Sequence, residues 1–340
     1  MMSSMEDKLL TIAIPTYNGS KTIASMLNIL LPQVDERVEV LVSDNCSTDN
    51  TVEIITNFAK EYPFIKCVQN DKNRGADYNF LQCMRMANGK FTMLLSDDDI
   101  LVENGLDKIL SFLEQYDSVT LAFLYTISFK DNYIDVGSCD EFLEASKKPR
   151  KDLVTTSKEE FFSYVGRQWG FTSSFLWNTR RFNEIKNPEQ YFGSYWLQSY
   201  IHILCSNKIE DLLGIIAGPC IAAGGYGIIP NYDAYKVEVL SFKKMLDYAV
   251  QEANYSEKQL TYFWLWKVCY ILKRTVIKER SVGKRLTSVG KVYEKLKPYP
   301  YAWIHLFPYL LLPDVICKLI LKLVRLKQKR NFGSYVNRET

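Results

Sequence analysis

Residues 9–18 read LLTIAIPTYN, an apolar run that gives way to a polar turn, and this arrangement recurs three times within the first 100 residues. The recurrences are VEVLVSDN at 38–45, FIKCVQN at 64–70 and FTMLLSDDD at 91–99. Amphipathic helical patterns fill the intervals between these runs. Apolar strands that alternate with helices predict an α/β fold, with a mostly parallel sheet flanked by helices. In such sheets, ligands bind beyond the carboxyl ends of the strands.

Composition limits the kinds of partner. The chain has 340 residues, with 42 Lys and Arg against 39 Asp and Glu, so its net charge is only +3. A nucleic-acid-binding protein is usually far more basic, and we expect no nucleic-acid partner. The eight cysteines form no CxxC pair and there are two histidines, which argues against a zinc site and for a reducing cytoplasm. The N-terminus MMSSMEDKLL does not resemble a signal peptide.

The turns after the first two strands carry residues suited to holding a nucleotide. Pro15 is expected to end the first strand, which leaves Thr16 and Tyr17 able to face a ligand, unless the segment is only a strand-to-helix turn. Asp44 ends the second strand. A carboxylate there can accept a hydrogen bond from a base imide or a ribose hydroxyl.

The segment NDKNRGADYN at 70–79 follows the third strand. Arg74 and Asp77 lie on either side of a glycine in this segment. They either face the base and phosphates of a nucleotide or belong to an exposed loop in which Asp77 favours the start of a helix. The residues alone leave both readings open.

Three consecutive carboxylates, Asp97, Asp98 and Asp99, follow the fourth strand directly. Adjacent carboxylates repel one another without a counter-charge. Mg²⁺ and Mn²⁺ prefer oxygen ligands and combine one or two carboxylates with phosphate oxygens. One aspartate would suffice to cap the next helix, so three of them favour a divalent-metal site.

Taken together, these motifs resemble the family 2 glycosyltransferases, which have the GT-A (Rossmann-like) fold. The matching segments are TIAIPTYN at 11–18, VLVSDNCSTDNT at 40–51, NRGADYNF at 73–80 and MLLSDDDIL at 93–101. The last two look most like the branch that contains abequosyltransferases and other O-antigen or capsule sugar transferases. The resemblance covers roughly residues 8–128.

The resemblance implies a role for each matching residue. Binding of the donor nucleotide falls to Pro15, Thr16, Tyr17, Asn18, Asp44, Arg74, Asp77 and Asp97. The resemblance implies that Asp98 and Asp99 are ligands of the metal ion, Mn²⁺ or Mg²⁺. The literal DxD motif would be Asp97 and Asp99, whereas the family's usual DDxL pattern makes Asp98 the main ligand, and the sequence leaves this register open.

A catalytic base is harder to assign, because the acidic pair that the family often places before a later helix is missing. Glu189 is the first candidate, Glu184 the alternative and His202 the third. A solvated glutamate in a loop is an equal reading for Glu189. Aromatic residues crowd the same region and suit either acceptor recognition or core packing: Trp169, Phe171, Trp177, Tyr191, Tyr195 and Trp196.

Residues 212–232 carry no charge, yet their five glycines and two prolines favour a buried strand and a loop over a membrane span. The C-terminal residues differ in character. Apolar positions at 315, 316, 319, 320 and 323 follow helical spacing, and Lys and Arg at 318, 322, 325 and 329 occupy another face. This pattern predicts a basic amphipathic segment at about 300–330 that binds the membrane interface, unless it docks on the catalytic domain.

The predicted organisation is a GT-A domain at 1–235, with a nucleotide half at about 8–128 and an acceptor half at about 160–235. A C-terminal helical region follows at 236–340.

The expected function is an inverting, metal-dependent transfer from a nucleotide sugar to a polyprenyl-diphosphate-linked or other glycan acceptor in surface polysaccharide synthesis. The expected location is cytoplasmic and peripheral, on the inner face of the cell membrane. A nucleotidyltransferase and a non-catalytic sugar-nucleotide-binding or membrane scaffold protein remain as alternatives, although the phosphate loop that a nucleotidyltransferase needs is weak in PTYNGSKT.

Overall fold

The structure is a computed structural model, which describes residues 8–128, 149–224, 233–284 and 288–323. These residues form two compact units. The first contains residues 8–128, 149–224 and 247–257, and the second contains 233–246, 258–284 and 288–323. The sequence-based division at residue 235 stays a prediction.

The first unit is built on a sheet of nine strands within the described ranges. They are β1 (Leu10–Thr16), β2 (Val38–Asp44), β3 (Ile65–Gln69), β4 (Phe91–Leu94), β5 (Ile100–Leu101), β6 (Leu121–Ser128), β7 (Leu153–Thr155), β8 (Phe175–Asn178) and β9 (Leu213–Ala223). The spatial order is β3-β2-β1-β4-β8-β6-β9-β5, and β7 also pairs with β9.

The first four strands are all parallel, as the alternating pattern predicts. Strand β8 then enters antiparallel between β4 and β6, and β5 and β7 run antiparallel to β9. The sheet as a whole is therefore mixed, and its parallel part coincides with the four motif-bearing strands. The reversal at β8 decides which residues reach the edge of the sheet where those motifs lie.

Seven helices of the described chain accompany this sheet: α1 (Ile23–Leu30), α2 (Thr51–Glu61), α3 (Ala76–Met86), α4 (Gly105–Gln115), α5 (Lys158–Val165), α6 (Thr179–Asn183) and α7 (Leu197–Leu204). Helix α4 shows why they form. It buries Leu106, Ile109, Leu110 and Leu113, which recur at helical spacing, and exposes Lys108. The core consists of such helix faces packed on the apolar strands.

The expectation that Pro15 ends the first strand is wrong, because β1 continues through Pro15 to Thr16. Successive residues of β1 bond alternately to β2 and to β4. On the β4 side, the Leu9 carbonyl accepts from the Phe91 amide, and the Ala13 carbonyl accepts from the amide of Leu95, just after β4. Pro15 therefore faces the β4 side, where pairing has already stopped at Ala13. The missing N–H of proline removes no ladder hydrogen bond there.

The C-terminal region is helical, as predicted. Its helices are α8 (Phe242–Ala253), α9 (Glu257–Ser281), α10 (Val289–Leu296), α11 (Pro300–His305) and α12 (Phe307–Leu310), and residues 314–323 are also helical. No helix of the described chain is long and apolar enough to cross a membrane. The uncharged stretch at 212–232 contains β9, as expected for a buried strand, and its remaining predicted loop falls on residues 225–232, outside the described residues.

Candidate active site

The carboxyl ends of the four parallel strands meet at one edge of the sheet. The last residue of β1, Thr16, lies beside Asp44 at the end of β2, and Asp44 lies beside Gln69 at the end of β3. Strand β4 ends at Leu94, three residues before Asp97. The polar turns that the sequence singles out are therefore brought together by strand register.

Thr16 and Asp97 are in direct contact, since the Thr16 hydroxyl donates a hydrogen bond to Oδ2 of Asp97. Gly19 lies against the same pair. A Cβ atom at Gly19 would lie 2.1 Å from Oδ2 of Asp97 and 2.6 Å from Oγ1 of Thr16. Burial raises the pKa of Asp97 to about 6, against the effect of the Thr16 hydrogen bond. The first and fourth turns thus form one packed corner around this carboxylate.

Asp98 and Asp99 occupy different environments although they are adjacent. Asp99 is fully buried, its Oδ2 accepts from the Ser173 hydroxyl at 2.6 Å, and its Oδ1 accepts from the Gly224 amide at 2.9 Å. The Asp98 carboxylate receives no hydrogen bond from any other residue of the described chain. Burial raises the pKa of both carboxyls, and for Asp99 the neighbouring Asp98 charge adds to the rise. Asp99 is therefore held by two hydrogen bonds from the protein. The half-buried carboxylate of Asp98 has none from another described residue, and we call it open in this sense.

The three aspartates suit a metal ion whose ligands come partly from the protein and partly from a bound diphosphate. Within the described residues there is no group of three or more His, Cys, Asp or Glu side chains that could hold an ion by themselves. Mg²⁺ commonly takes one or two carboxylates plus substrate phosphates. Asp98, with Asp97 beside it, fits that donor set, whereas both oxygens of Asp99 already accept hydrogen bonds from the protein.

Asn18 joins the first two turns, and Asp44 holds the second turn from within. Asn18 adopts a left-handed backbone with φ of 54°, its Oδ1 accepts from the Thr48 amide at 2.8 Å, and its amide donates to the Ser47 hydroxyl at 2.8 Å. The Asp44 carboxylate is buried and accepts from the Ser47 amide at 3.0 Å. Both side chains shape the turns, while the ring of Tyr17 remains exposed beside them.

Asn45 connects the second turn to the third, a role that the sequence motifs do not reveal. Its Oδ1 accepts from the Asn70 side chain and the Arg74 amide, both at 3.0 Å, and its Nδ2 donates to Asn73 at 2.9 Å. Arg74 is pinned in this loop by Asp71, with Nη2 at 2.8 Å from Oδ1. The buried amide thus fixes the backbone on which Arg74 is carried.

Asn79 performs a similar task for α3. This buried residue accepts a hydrogen bond from the Ser43 hydroxyl at 2.6 Å and donates to the Ser43 carbonyl at 2.9 Å. It also donates to the carbonyl of Thr16 at 3.4 Å. The first turn of α3, which contains Asp77, is thereby held beside the ends of β1 and β2.

The loop at 192–195 reaches this edge from the second half of the sheet. The amide of Gly193 donates to Oδ2 of Asp77 at 2.6 Å, and burial raises the pKa of Asp77. On its other side, Gln198 at the start of α7 donates to the carbonyl of Gly170 at 3.5 Å, three residues before Ser173. The loop therefore lies beside the first turn of α3, and the helix that follows it contacts the segment that leads to Ser173.

The two glutamates expected to supply a base are not brought to this edge. Glu189 pairs with Arg85 at 2.5 Å, and Arg85 lies eight residues beyond Asp77, about 12 Å along α3. A hydrogen bond to its own amide and the Arg85 ion pair lower the pKa of Glu189, which is unfavourable for a base. Antiparallel β8 carries the chain back to the first residue of β4, so Glu184 lies beyond the opposite edge and pairs with Arg181 at 2.5 Å.

His202 and most of the aromatic residues belong to the core. The His202 ring is buried 4.2 Å from that of Phe175, burial lowers its pKa to about 3, and neither ring nitrogen has a hydrogen-bond partner among the described residues. Trp169 and Trp177 are fully buried. Tyr195, by contrast, is 51% exposed.

The sequence profile of glycosyl transferase family 2 matches residues 11–191, over half of the chain. Abequosyltransferase RfbV of Salmonella typhimurium is 26% identical over 234 residues, which are 64% of this chain and 67% of the relative. The Escherichia coli enzyme WfgD is 32% identical over 109 residues, which are 32% of this chain and 42% of that protein.

Solved structures share the fold. Staphylococcus aureus TarS 1–349 in complex with UDP-GlcNAc matches with a TM-score of 0.59 at 15% identity, over 85% of this chain and 80% of that one. A mannosyltransferase from Pyrobaculum calidifontis in complex with GDP-Man and Mn²⁺ matches with a TM-score of 0.50 at 14% identity, over 92% of this chain and 86% of that one. The profile match and the shared GT-A fold agree with the strand-end site: the chain belongs to glycosyl transferase family 2 and is a glycosyltransferase.

Proposed function

We propose that the protein transfers a sugar from a nucleoside-diphosphate sugar to a lipid-linked glycan acceptor in surface polysaccharide synthesis, in a metal-dependent reaction with inversion at the anomeric carbon. The observation that carries this proposal is the corner formed by Thr16, Asp97 and Asp98. Here the open carboxylate of Asp98 lies next to that of Asp97, which Thr16 fixes, at the edge where four parallel strands end. An edge of this kind is where α/β sheets bind their ligands.

The donor nucleotide is proposed to lie along the turns after β1, β2 and β3. Tyr17 offers an exposed ring, Thr16 and Asp44 lie at adjacent strand ends, and Arg74 is carried on the loop that Asn45 fixes. The Arg74 guanidinium can hydrogen-bond a phosphate or a base carbonyl. Three further residues would shape this surface. Pro15 belongs to the end of β1, Asn18 joins the first two turns, and Asp77 in the first turn of α3 accepts from the Gly193 amide.

Asp98, with Asp97, would hold Mn²⁺ or Mg²⁺ against the diphosphate. The bound ion would stabilise the negative charge that develops on the departing nucleoside diphosphate. The protein's part is to fix the carboxylates: Thr16 orients Asp97, and Ser173 with the Gly224 amide anchors Asp99. That anchoring holds the backbone of Asp98 at the end of β4.

Acceptor binding is proposed at the loop of residues 192–195. Phe192 and Tyr195 are 38% and 51% exposed, and Tyr195 has a φ of 68°, a left-handed conformation that is strained for a tyrosine. Such strain is often found at ligand-binding loops. An exposed aromatic ring can stack on the apolar face of a sugar, and Gly193 links this loop to Asp77 on the donor side.

The lipid-linked acceptor is supported by the relatives. The name of WfgD states transfer from UDP-Glc to GlcNAc-diphosphoundecaprenol. RfbV is named as an abequosyltransferase. We propose an acceptor of the same chemical class, a glycan on a polyprenyl diphosphate, which would place the reaction at the inner face of the cell membrane.

A panel of nucleoside-diphosphate sugars, each incubated with Mn²⁺ and the purified chain, tests the reaction. We expect release of a nucleoside diphosphate from one donor, accelerated by a polyprenyl-diphosphate-linked sugar and abolished by EDTA. The anomeric configuration of the product, read by NMR coupling constants, tests inversion.

Three results would contradict the proposal. Tight binding of a sugar nucleotide without turnover under any acceptor would indicate a binding protein. Release of pyrophosphate from a nucleoside triphosphate would indicate a nucleotidyltransferase. Full activity in EDTA would exclude the role assigned to Asp98.

A further inference from the structure

Exposed apolar side chains concentrate near the end of the described chain. Of the sixteen large apolar residues that are exposed in the described structure, seven lie between residues 303 and 323. Trp303 is 50% exposed, Ile304 69% and Leu311 83%. The remaining four lie on the helix of residues 314–323. A local concentration of this kind marks an interaction surface.

The helix of residues 314–323 has two distinct apolar faces. Cys317 is fully buried and Ile320 and Leu321 are partly buried, so this side packs inward. Val315, Ile316, Leu319 and Leu323 are all exposed. At 100° per residue, these four lie within a sector of about 100° on the opposite side. We call this sector the outer stripe.

Positive charge borders the outer stripe. Lys318 and Lys322 are exposed and lie next to it on the helical wheel, on the side away from Ile316. Asp314 is the acid on this helix, and in the sequence no other acid follows until Glu339. Long lysine side chains can lay their stems on an apolar surface while keeping the ammonium group in a polar layer.

The helix is also held in a defined orientation. Arg280 of α9 donates hydrogen bonds to the carbonyls of Leu310 and Leu312, in the bend that precedes the helix. The Cys317 amide donates to the carbonyl of Pro313 at 3.1 Å. The bend is therefore bonded to α9 by a charged side chain, and the four side chains of the outer stripe are exposed.

We propose that the outer stripe binds the headgroup layer of an anionic lipid bilayer, with Lys318 and Lys322 directed to lipid phosphates. A helix that lies in this layer combines an apolar face with flanking lysines. The core of a protein–protein interface, in contrast, is depleted in lysine. The sequence pattern alone places residue 320 on the lipid face, whereas the structure turns Ile320 inward and leaves the four residues of the outer stripe.

Co-sedimentation of the full-length protein with vesicles tests the proposal. We expect binding to vesicles of phosphatidylcholine and phosphatidylglycerol that weakens as salt is raised, and little binding to phosphatidylcholine alone. Leu319→Asp with Leu323→Asp should weaken binding by about tenfold or more. Lys318→Gln with Lys322→Gln should weaken it by about 25-fold, about fivefold per lysine, and flatten the salt dependence.

Ile209→Asp is the matched control, because Ile209 is 78% exposed but lies in a loop of the first unit, and this variant should bind as the wild type does. Equal binding by the Leu319/Leu323 variant would overturn the proposal. A wild type that ignores vesicles but dimerises in solution, with a monomeric Leu319/Leu323 variant, would show that the stripe joins two copies of the chain. Binding of the nucleoside diphosphate that the donor panel identifies, measured with Mn²⁺ on the same variants, separates failure of the lipid contact from failure of the donor site.

Discussion

The hydroxyl of Thr16 donates a hydrogen bond to the carboxylate of Asp97, and so joins two strand ends that are 81 residues apart in the sequence. Gly19 packs against both groups. This contact closes the corner between the turns after β1 and β4. The position of the open carboxylate, Asp98, depends on it, because Asp98 follows Asp97 directly.

Gly19→Ala is predicted to disrupt this corner. The added methyl group would lie 2.1 Å from Oδ2 of Asp97, so the turn or the carboxylate must move. We expect a loss of about 1–3 kcal/mol in the free energy of unfolding and weaker binding, in the presence of Mn²⁺, of the nucleoside diphosphate that the donor panel identifies. Urea unfolding and calorimetry measure the two effects. Gly290→Ala is the control, since its Cβ would meet nothing within 4 Å.

Asp98→Ala is predicted to reduce turnover by at least about a hundredfold, because the metal ion that we propose to stabilise the leaving nucleoside diphosphate would lose a protein ligand. Its melting temperature should remain close to that of the wild type, since no other described residue hydrogen-bonds this carboxylate. Release of nucleoside diphosphate is the measurement. Asp107→Ala, at an exposed carboxylate of α4, should keep full activity. A near-normal rate in Asp98→Ala would refute the metal assignment.

Asp99→Asn is predicted to act mainly on stability. The Ser173 hydroxyl and the Gly224 amide donate to different oxygens of Asp99, and asparagine replaces one of those oxygens with an NH2 donor, so one of the two hydrogen bonds loses its acceptor. The expected cost in the free energy of unfolding is about 1–3 kcal/mol. Asp98→Asn, measured by the same urea titration, should cost much less. Equal losses in the two variants would remove the distinction between the two carboxylates.

Tyr195→Ala is predicted to raise the KM for the proposed lipid-linked acceptor about five- to tenfold, because the ring on which we propose that a sugar stacks is lost, while the KM for the donor stays unchanged. Tyr195→Phe keeps the ring and should restore the acceptor KM. Phe64→Ala is the control, because Phe64 is 46% exposed but precedes β3, at the opposite edge of the sheet. A rise in the donor KM instead would place Tyr195 on the nucleotide side.

His202 is predicted to make the protein sensitive to acid. Burial lowers its pKa to about 3 from 6.5, so the unfolded chain binds a proton in a range where the folded chain does not. This contribution to stability is present above pH 6.5 and is lost as the pH falls: about 2 kcal/mol between about pH 6.5 and about pH 5. Melting temperatures measured across this range should fall less steeply for His202→Phe. His305→Gln, at an exposed ring, should keep the wild-type slope.

Local pattern determined the parallel half of the fold. The four apolar runs became β1 to β4, and the residues directly after them came together, because neighbouring parallel strands end at the same edge of a sheet. The register of β1 and β2 places Thr16 beside Asp44. Apolar alternation and strand-end position are local properties, so a single sequence carries them.

The positions of the two base candidates show what a local pattern cannot predict. The sequence places Glu184 and Glu189 at a suitable distance along the chain, but it does not reveal that β8 runs antiparallel to β4. Because of that reversal, Glu184 lies at the edge of the sheet opposite the site. Residues 189–193 lie along α3, so that Gly193 contacts Asp77 at its start and Glu189 pairs with Arg85 near its end. Strand order and direction depend on packing between distant segments.

The sequence by itself determined that three carboxylates follow a central strand, and only the tertiary structure decided which of them is open. The residues that give the aspartates different environments are distant in the chain. Thr16 is 81 residues from Asp97, and Ser173 and Gly224 are 74 and 125 residues from Asp99. Three adjacent aspartates are chemically identical as residues. Their environments diverge because folding buries Asp99 against distant donors, bonds Asp97 to a neighbouring turn, and leaves Asp98 without a bond from another described residue.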